Sequence, residues 1–409
     1  MTEALALCPF LAALPFEQFS TAGVTVLKLA GGFAFVVWLL SHLGPHERIR
    51  WDPGLTLMTL FVVWGAVSYF WSMDPIRSMV KLQTYVLLLL SYFLVVNVIR
   101  NEKQFSAAMI AMWLGMLVLV ISGALGLSTI RTDVEDSRLG GIVGNANGYV
   151  AILVACIPAC YWVFARTRVP FRRVITAVAL LAAGITSFYT KSRGGFISIG
   201  ILFLTLLAFR QTRRRAIGFV VLFLVLALRL APLGLWQRMD ESLQRGNVRT
   251  TSLWPAGLAA FAERPLLGSG LGTNAQALSR VRGGGAVVHN SPLAVAIELG
   301  SVGLVLYCGL MVYGTLRSWR AIATATRQGR TREAGFAIVL LAGFFGYMTT
   351  WFKGGGMEYS KMVWVLLGLM SAHARILELP PGATGRLRSP GPILKPRKHA
   401  LSDRRQRGQ

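Results

Sequence analysis

Residues 105–126 read FSAAMIAMWLGMLVLVISGALG and contain no charged side chain. A helix that crosses a bilayer needs about 20 mostly apolar residues, and comparable runs recur along most of the chain. The 409 residues are 54% hydrophobic and 14% charged, whereas soluble domains are about 25% charged. The mean hydropathy is +0.56. The chain is therefore predicted to be an all-α polytopic membrane protein.

The apolar runs predict twelve transmembrane spans. The first is short and contains Pro9 and Pro15, so it either crosses the membrane or lies in the interface. The connections are short except for one long extramembrane segment, 237–290. The predicted spans are 4–20, 22–42, 54–72, 78–98, 105–126, 145–165, 171–190, 194–210, 216–236, 291–314, 333–352 and 358–374.

Positive charge is concentrated in alternate loops. More than half of the 42 lysines and arginines follow the even-numbered spans, including the C-terminal tail. The positive-inside rule puts these loops and both termini in the cytoplasm. The loops are too short for a nucleic-acid platform, so the net charge of +25 is interpreted as orientation and contact with anionic lipid. Residues 1–376 are expected to form the bundle, and 377–409 a disordered basic cytoplasmic tail.

Two segments fall on the opposite, non-cytoplasmic side, the loop 127–144 and the long segment 237–290. The long segment carries six arginines although the positive-inside rule predicts few positive charges on this side. Binding of an anion would explain why they are there. Residues 249–263 are expected to form a surface helix, which Pro265-Leu-Leu-Gly-Ser-Gly-Leu-Gly272 ends. The six arginines are Arg238, Arg245, Arg249, Arg264, Arg280 and Arg282.

Arg193 opens span eight after a tight turn, Thr190-Lys191-Ser192-Arg193-Gly194-Gly195. Its guanidinium is expected at the outer boundary of the membrane. One interpretation is an arginine that extends its side chain to the interface. We favour a phosphate site, because Gly194 and Gly195 remove bulk beside a group that binds phosphate through two hydrogen bonds.

A stretch rich in glycine and asparagine leads into span six, Arg138-Leu-Gly-Gly-Ile-Val-Gly144-Asn145-Ala-Asn147-Gly148. Asparagine caps helices, and the free N–H groups of a helix N-terminus bind anions. Arg138, Asn145 and Asn147 are therefore candidate contacts to an anion or a sugar. A structural cap explains the pattern equally well.

His289 and Asn290 open span ten, where the long outer segment returns to the membrane. An imidazole has an unperturbed pKa of about 6.5 and can accept a proton near neutral pH. Neighbouring arginines favour its neutral, basic form. We predict a general base at His289. The alternative is an interfacial histidine that is hydrogen-bonded to a neighbouring loop.

Glu298 lies at apolar depth in the same span. Carboxylates inside a membrane are costly and are usually partnered. A structural role is therefore predicted, in which Glu298 pairs with a neighbour or ties a broken helix. The expected partners, or further anion contacts, are Glu358, Lys361 and Lys353.

Several signals of other chemistry are missing. The outer side has no Asp-x-Asp pair, and the chain has neither a Walker-type glycine loop nor a Gly-x-Ser-x-Gly element. Metal-dependent sugar transfer, ATP-driven chemistry and serine hydrolysis are therefore not supported, and no cofactor is expected. Cys156 and Cys160 are interpreted as packing residues rather than as a metal pair.

Four of these stretches together resemble the O-antigen ligase and polymerase superfamily of bacterial envelopes. With the span count, the resemblance covers about residues 20–375. The stretches are 138–147 with its Gly-Asn-x-Asn, Ser192-Arg193-Gly194, Arg249 with Trp254 and 265–272, and His289-Asn290 with Glu298-x-Gly300-x-x-Gly303.

The resemblance implies a metal-independent, inverting glycosyltransferase of the membrane-embedded C type. Its donor would be a glycan on undecaprenyl diphosphate, presented at the periplasmic face of the bacterial inner membrane. Arg193 and Arg249 would hold the diphosphate, and His289 would activate the acceptor hydroxyl. Substrate contacts are expected from Arg138, Asn145, Asn147, Asn290, Arg280 and Arg282, with support from Glu298, Gly194 and Trp254.

The resemblance leaves the acceptor open. A ligase transfers the glycan to a sugar of the lipid A core, whereas a polymerase transfers it to another lipid-linked repeat. The surplus of outer arginines suits a phosphorylated lipid A core, so the ligase is the leading interpretation, ahead of the polymerase and of protein O-glycosylating relatives. A transporter or flippase would show inverted repeats and charges along a mid-membrane path, and the sequence shows no such repeat.

Overall fold

The computed structural model describes residues 2–17, 20–21, 24–43, 49–127, 129–130, 138–140, 145–237, 252–352 and 357–378. Two short antiparallel pairings join Ser20–Thr21 to Val24–Thr25 and Thr129–Ile130 to Arg138–Leu139. Short 3-10 turns occupy Leu14–Phe16, Ser68–Trp71, Thr349–Phe352 and Met357–Tyr359. The α-helices are α1 (Thr2–Ala13), α2 (Val26–Ser41), α3 (Pro53–Val67), α4 (Pro75–Val98), α5 (Glu102–Ala124), α6 (Ala146–Arg166), α7 (Pro170–Tyr189), α8 (Arg193–Ala208), α9 (Arg210–Leu230), α10 (Trp254–Glu263), α11 (Asn274–Arg282), α12 (Ser291–Arg327), α13 (Thr331–Met348) and α14 (Lys361–Glu378).

Many of these helices can cross a membrane. Among the described residues, seven are long and apolar enough by length and composition: α3, α4, α5, α6, α7, α12 and α13. The shorter helices α1, α2 and α8 are also apolar. These findings confirm the prediction of an all-helical polytopic membrane protein.

Side-chain caps account for where several helices begin. Asp52, Asp74 and Asn101 each accept a hydrogen bond from a backbone N–H in the first turn of α3, α4 and α5. Such caps satisfy N–H groups that have no partner within the helix. The starts of these three helices lie within one turn of the predicted spans.

Some helix boundaries differ from the prediction. Helix α9 begins at Arg210 rather than at residue 216, and α12 continues to Arg327 rather than ending at residue 314. Both extensions are rich in arginine, which is a good helix former although it carries a charge. Residues 24–25, which were assigned to span two, instead form one half of a short strand pairing.

Helix α14 lies at the centre of the bundle. Nearly all of its residues from Lys361 to Leu377 are buried, and it packs against α4, α12 and α13. Glu17 caps its first turn, because the carboxylate accepts hydrogen bonds from the Ser360 hydroxyl at 2.6 Å and from the Lys361 amide at 2.7 Å.

The two ends of the bundle differ in character. At one end, here called the loop end, α4, α6, α8 and α12 begin and α10 and α11 pack. Ser78 donates to the carbonyl of Leu271 there, at 2.6 Å. At the other, here called the basic end, Arg375 donates to the carbonyl of Ile99 at 2.7 Å. The described cations assigned to cytoplasmic loops lie at the basic end.

Candidate functional site

The starts of α6 and α8 meet at the loop end. Asn145 caps α6 by accepting from the amides of Asn147 and Gly148, at 2.9 and 3.2 Å. Ser192 caps α8 by accepting from the Gly195 amide at 2.9 Å. The Ser192 hydroxyl also donates to Oδ1 of Asn147 at 2.5 Å. Two separate sequence motifs are thus joined by one hydrogen bond.

Arg193 is the first residue of α8 and its side chain is exposed at this junction. A helix N-terminus carries partial positive charge, so a guanidinium there adds to a field that attracts anions. Gly195, two residues further on, also has a packing role. A Cβ on Gly195 would lie 2.7 Å from Cβ of Val150, so this glycine lets α8 approach α6 closely.

The structure describes the other arginines of the predicted site only in part. Arg138 is paired through its backbone with Ile130, and the structure does not describe its side chain. Arg249 lies outside the described residues. Arg280 and Arg282 are exposed in the last turn of α11, ahead of Gly283 and Gly284, which have φ of 74° and 84°.

His289 immediately precedes the cap of α12. Its side chain is half-buried and its backbone has a φ of 49°, a left-handed conformation that is uncommon outside glycine. Asn290 is buried and accepts from the Leu293 amide at 3.0 Å. Asn290 therefore acts as a helix cap in this structure, which is its contribution to placing His289.

Helix α10 packs against the flank of His289. A Cβ on Gly257 would lie 2.8 Å from Cγ2 of Val288, so the contact requires a glycine in α10. Trp254, at the start of α10, is half-buried with its ring centroid 6.5 Å from that of Phe352. Trp254 thus supports the packing between α10 and the end of α13.

A chain of contacts links the His289 region to α8. The hydroxyls of Ser198 in α8 and Thr349 after α13 are 2.5 Å apart. Phe352 follows in the same 3-10 turn and packs on Trp254. Arg193 and His289 therefore lie at the same end of the bundle, on elements joined by direct packing.

Glu298 is fully engaged in structural contacts. Lys81 Nζ lies 3.0 Å from both carboxylate oxygens, and the Gly272 amide donates to one of them at 2.8 Å. Asn274 Nδ2 donates to the other at 2.5 Å. Glu358 also contacts Lys81, at 3.2 Å. Lys353 lies outside the described residues.

An apolar cleft opens beside the α6–α8 junction. Its volume is about 480 Å³. It lies between the C-terminal ends of α5 and α7, and Thr186 at its wall accepts a hydrogen bond from the buried Tyr149 hydroxyl at 3.2 Å. Its lining residues are Gly123, Ala124, Gly126, Leu139, Ala182, Ile185, Thr186 and Tyr189.

A family model described as O-antigen ligase matches residues 177–308. Residues 177–308 are therefore similar to the O-antigen ligase family. The match confirms the predicted resemblance over about a third of the chain. Among curated proteins, the chain has no match.

The matched segment extends from α7 into the first half of α12. It contains the turn with Arg193, the helix α10 with Trp254, and His289 with Glu298. Lys81 lies outside it, and sequence reasoning did not identify Lys81. A signal was present, because Lys81 is the single charged residue within predicted span 78–98, and a charge at that depth is usually functional or paired.

Proposed function

We propose that this protein is an O-antigen ligase. It would transfer a glycan from undecaprenyl diphosphate to a sugar hydroxyl of the lipid A core, at the periplasmic face of the bacterial inner membrane. The reaction would be metal-independent and would invert the anomeric centre. The family match over residues 177–308 supports the enzyme class, membrane glycosyltransferases.

The observation that carries the proposal is the junction of α6 and α8. The Ser192–Asn147 hydrogen bond brings two helix N-termini together and leaves Arg193 exposed beside them. Helix N-termini and a guanidinium both favour a diphosphate. The apolar cleft next to this junction suits an isoprenoid chain, because its walls are mainly aliphatic and aromatic carbon.

The proposed orientation follows from the charge at the two ends. The basic end would face the cytoplasm, because positive loops are retained there. The loop end would then face the periplasm. In this arrangement twelve helices, α1 to α9 and α12 to α14, would cross the membrane, and 237–290 would form the periplasmic segment.

The chemistry requires two kinds of group. His289 would take the proton of the acceptor hydroxyl as its oxygen forms a bond to the anomeric carbon. The bond from that carbon to the diphosphate oxygen would break, and the diphosphate would leave with the electron pair. Arg193 and Arg249 would neutralise the charge that develops on it. A positioned base contributes about 10²–10⁴-fold to such a step.

Acceptor choice separates the ligase from the alternative, a repeat-unit polymerase. Exposed arginines at the loop end suit a phosphorylated acceptor, and they include Arg193, Arg264, Arg280 and Arg282. Purified protein in vesicles would receive the lipid-linked donor with lipid A core in one reaction and the donor alone in another.

The ligase predicts glycan on the lipid A core in the first reaction and no lengthening of the donor in the second. Lengthened lipid-linked glycan with the donor alone would favour the polymerase. If neither product forms, the proposed function is wrong. EDTA should leave the activity intact, and a loss that Mg²⁺ restores would contradict the metal-free mechanism.

A further inference from the structure

Helix α12 consists of two segments joined at a break. Gly300 has φ 65° and ψ −167° within it, so residues 291–299 form a short segment that is separate in direction from 301–327. A Cβ on Gly300 would lie 2.0 Å from the carbonyl oxygen of Leu266, so the loop after α10 runs directly against the break. The short segment is therefore not held in position by a continuous helix with residues 301–327.

Hydrogen bonds from outside the helix replace that continuity. The Ser269 and Gly270 amides donate to the carbonyls of Ile297 and Glu298, at 2.8 and 2.9 Å. The Trp64 indole donates to the carbonyl of Leu299 at 2.8 Å. The last turn of the short segment is thus held by the loop 265–272 and by α3.

Lys81 supplies the charged part of this support. Its ammonium lies between the carboxylates of Glu298 and Glu358, and we call these three residues the Lys81 cluster. The Lys81 side chain is 13% exposed, and those of Glu298 and Glu358 are 1% and 2% exposed. Buried charges depend on their partners, so Lys81 joins α4 to the short segment and to the 3-10 turn before α14.

The two carboxylates are not equivalent. Glu298 accepts hydrogen bonds from Lys81, Gly272 and Asn274. Within the part of the chain that the structure describes, Oε2 of Glu358 is buried with no hydrogen-bond partner. The Lys81–Glu298 pair therefore carries most of the connection, and the Lys81–Glu358 contact carries less.

His289 lies at the other end of the short segment. Nine residues of helix span about 14 Å, so a tilt of about 5° at the Glu298 end would move His289 by about 1 Å. A displacement of that size can lower the rate of a positioned reaction by about 10²-fold. The geometry therefore connects a buried lysine on α4 to the position of the histidine.

We propose that Lys81 is a positioning residue for His289. This inference rests on the proposed function, because it takes His289 as the base. Lys81 touches neither substrate nor reacting atoms. It fixes the short segment of α12 through Glu298, so that the imidazole meets the acceptor hydroxyl in one geometry.

The test compares Lys81→Met with a matched variant, Arg317→Met. Arg317 also pairs α12 with α14, through hydrogen bonds of 2.6 and 2.7 Å to Glu378, but it lies in the long segment at the basic end. In the reconstituted assay, Lys81→Met should lower kcat by about 10–100-fold and change the donor KM by less than about two-fold. Arg317→Met should change kcat by less than about two-fold. Equal losses in the two variants, or full kcat in Lys81→Met, would overturn the inference.

Hydrogen exchange gives a readout that needs no activity. In detergent, peptides covering 265–274 should exchange faster in Lys81→Met than in the wild type or in Arg317→Met, because the amides of Ser269, Gly270 and Gly272 donate to the short segment or to Glu298. Unchanged exchange of these peptides in Lys81→Met would contradict the positioning role of Lys81. This readout does not depend on glycan transfer. Absence of transfer by the wild type would instead contradict the proposed function.

A second variant guards against a Lys81→Met protein that does not fold. Glu358→Gln leaves the Lys81–Glu298 pair in place. Its kcat should fall by less than about five-fold, with exchange of 265–274 close to that of the wild type. A loss as large as that expected for Lys81→Met would show that the Glu298 contact is not the one that positions His289.

Discussion

His289 has a backbone conformation that few residues other than glycine adopt, with φ of 49°. Such a conformation costs about 1–3 kcal/mol and persists only where the surrounding structure imposes it. Here the cap at Asn290 and the packing of Val288 against α10 lie on either side of it. The backbone thus holds the imidazole at the start of α12 rather than leaving it on a flexible loop.

Replacement of His289 tests its role as the base. His289→Ala should lower the rate of glycan transfer by about 10²–10⁴-fold, because a positioned base contributes that much. His289→Asn is the matched control for backbone strain, since asparagine tolerates positive φ, and it should lose as much activity. The measurement is the initial rate in vesicles, with protein amount checked by gel filtration. Wild-type rates in either variant would remove His289 from the mechanism.

Arg193→Lys tests whether a guanidinium is required. A hydrogen bond to a charged group is worth about 1.5–3 kcal/mol, so losing one to the diphosphate should lower kcat/KM by about 10–100-fold. Arg168→Lys changes an exposed arginine at the basic end and should have no effect. If Arg193→Lys retains the wild-type kcat/KM, the arginine only extends to the membrane interface.

Glu298 shows which features of a residue can be predicted from the sequence and which cannot. A glutamate at apolar depth, followed by glycines, is typical of a paired carboxylate in a broken helix, and the structure places Glu298 in that setting. The identity of the partner was not predictable, because Lys81 is more than 200 residues away in sequence. The two charges meet because α3 and α14 each pack against both α4 and α12.

At the scale of elements, the break in α12 has a direct energetic test. Gly300→Ala should destabilise the protein by about 1–3 kcal/mol, because alanine is strained at positive φ and its Cβ would lie 2.0 Å from the carbonyl oxygen of Leu266. The measurement is thermal unfolding in detergent. Gly309→Ala, in the same helix and with no atom within 4 Å of the added Cβ, should be neutral or slightly stabilising. Equal melting temperatures for the two variants would argue against a strained break.

The helix starts were predicted better than the helix ends. Asp52, Asp74 and Asn101 are caps that can be read from sequence, and α3, α4 and α5 begin beside them. Arg213 in the first turns of α9 and Arg327 at the end of α12 were left outside the predicted spans because they are charged. Arginine nevertheless favours helix and can extend its charge to water, so hydropathy alone makes such helices too short.

For the whole molecule, the separation of charge between the two ends predicts its orientation. Gly285→Cys at the loop end should react with a membrane-impermeant maleimide in intact spheroplasts, because residue 285 is exposed and would face the periplasm. Lys103→Cys, exposed at the basic end, should react only after permeabilisation. The opposite pattern would place the candidate site in the cytoplasm and contradict the proposed function. The four native cysteines are buried or half-buried. Maleimide labelling of the protein without an added cysteine therefore measures the background reaction.

In the proposed orientation, the long segment of α12 would set the depth of the whole bundle in its bilayer. Residues 301–327 span about 40 Å, whereas the hydrocarbon layer is about 30 Å thick. Trp319 is 56% exposed near the basic end of this segment, and tryptophan prefers the headgroup region. In the proposed orientation, anchors in the inner leaflet would therefore determine how far above the outer leaflet sugar transfer takes place. A thinner host membrane would raise the reaction centre away from its lipid-borne donor.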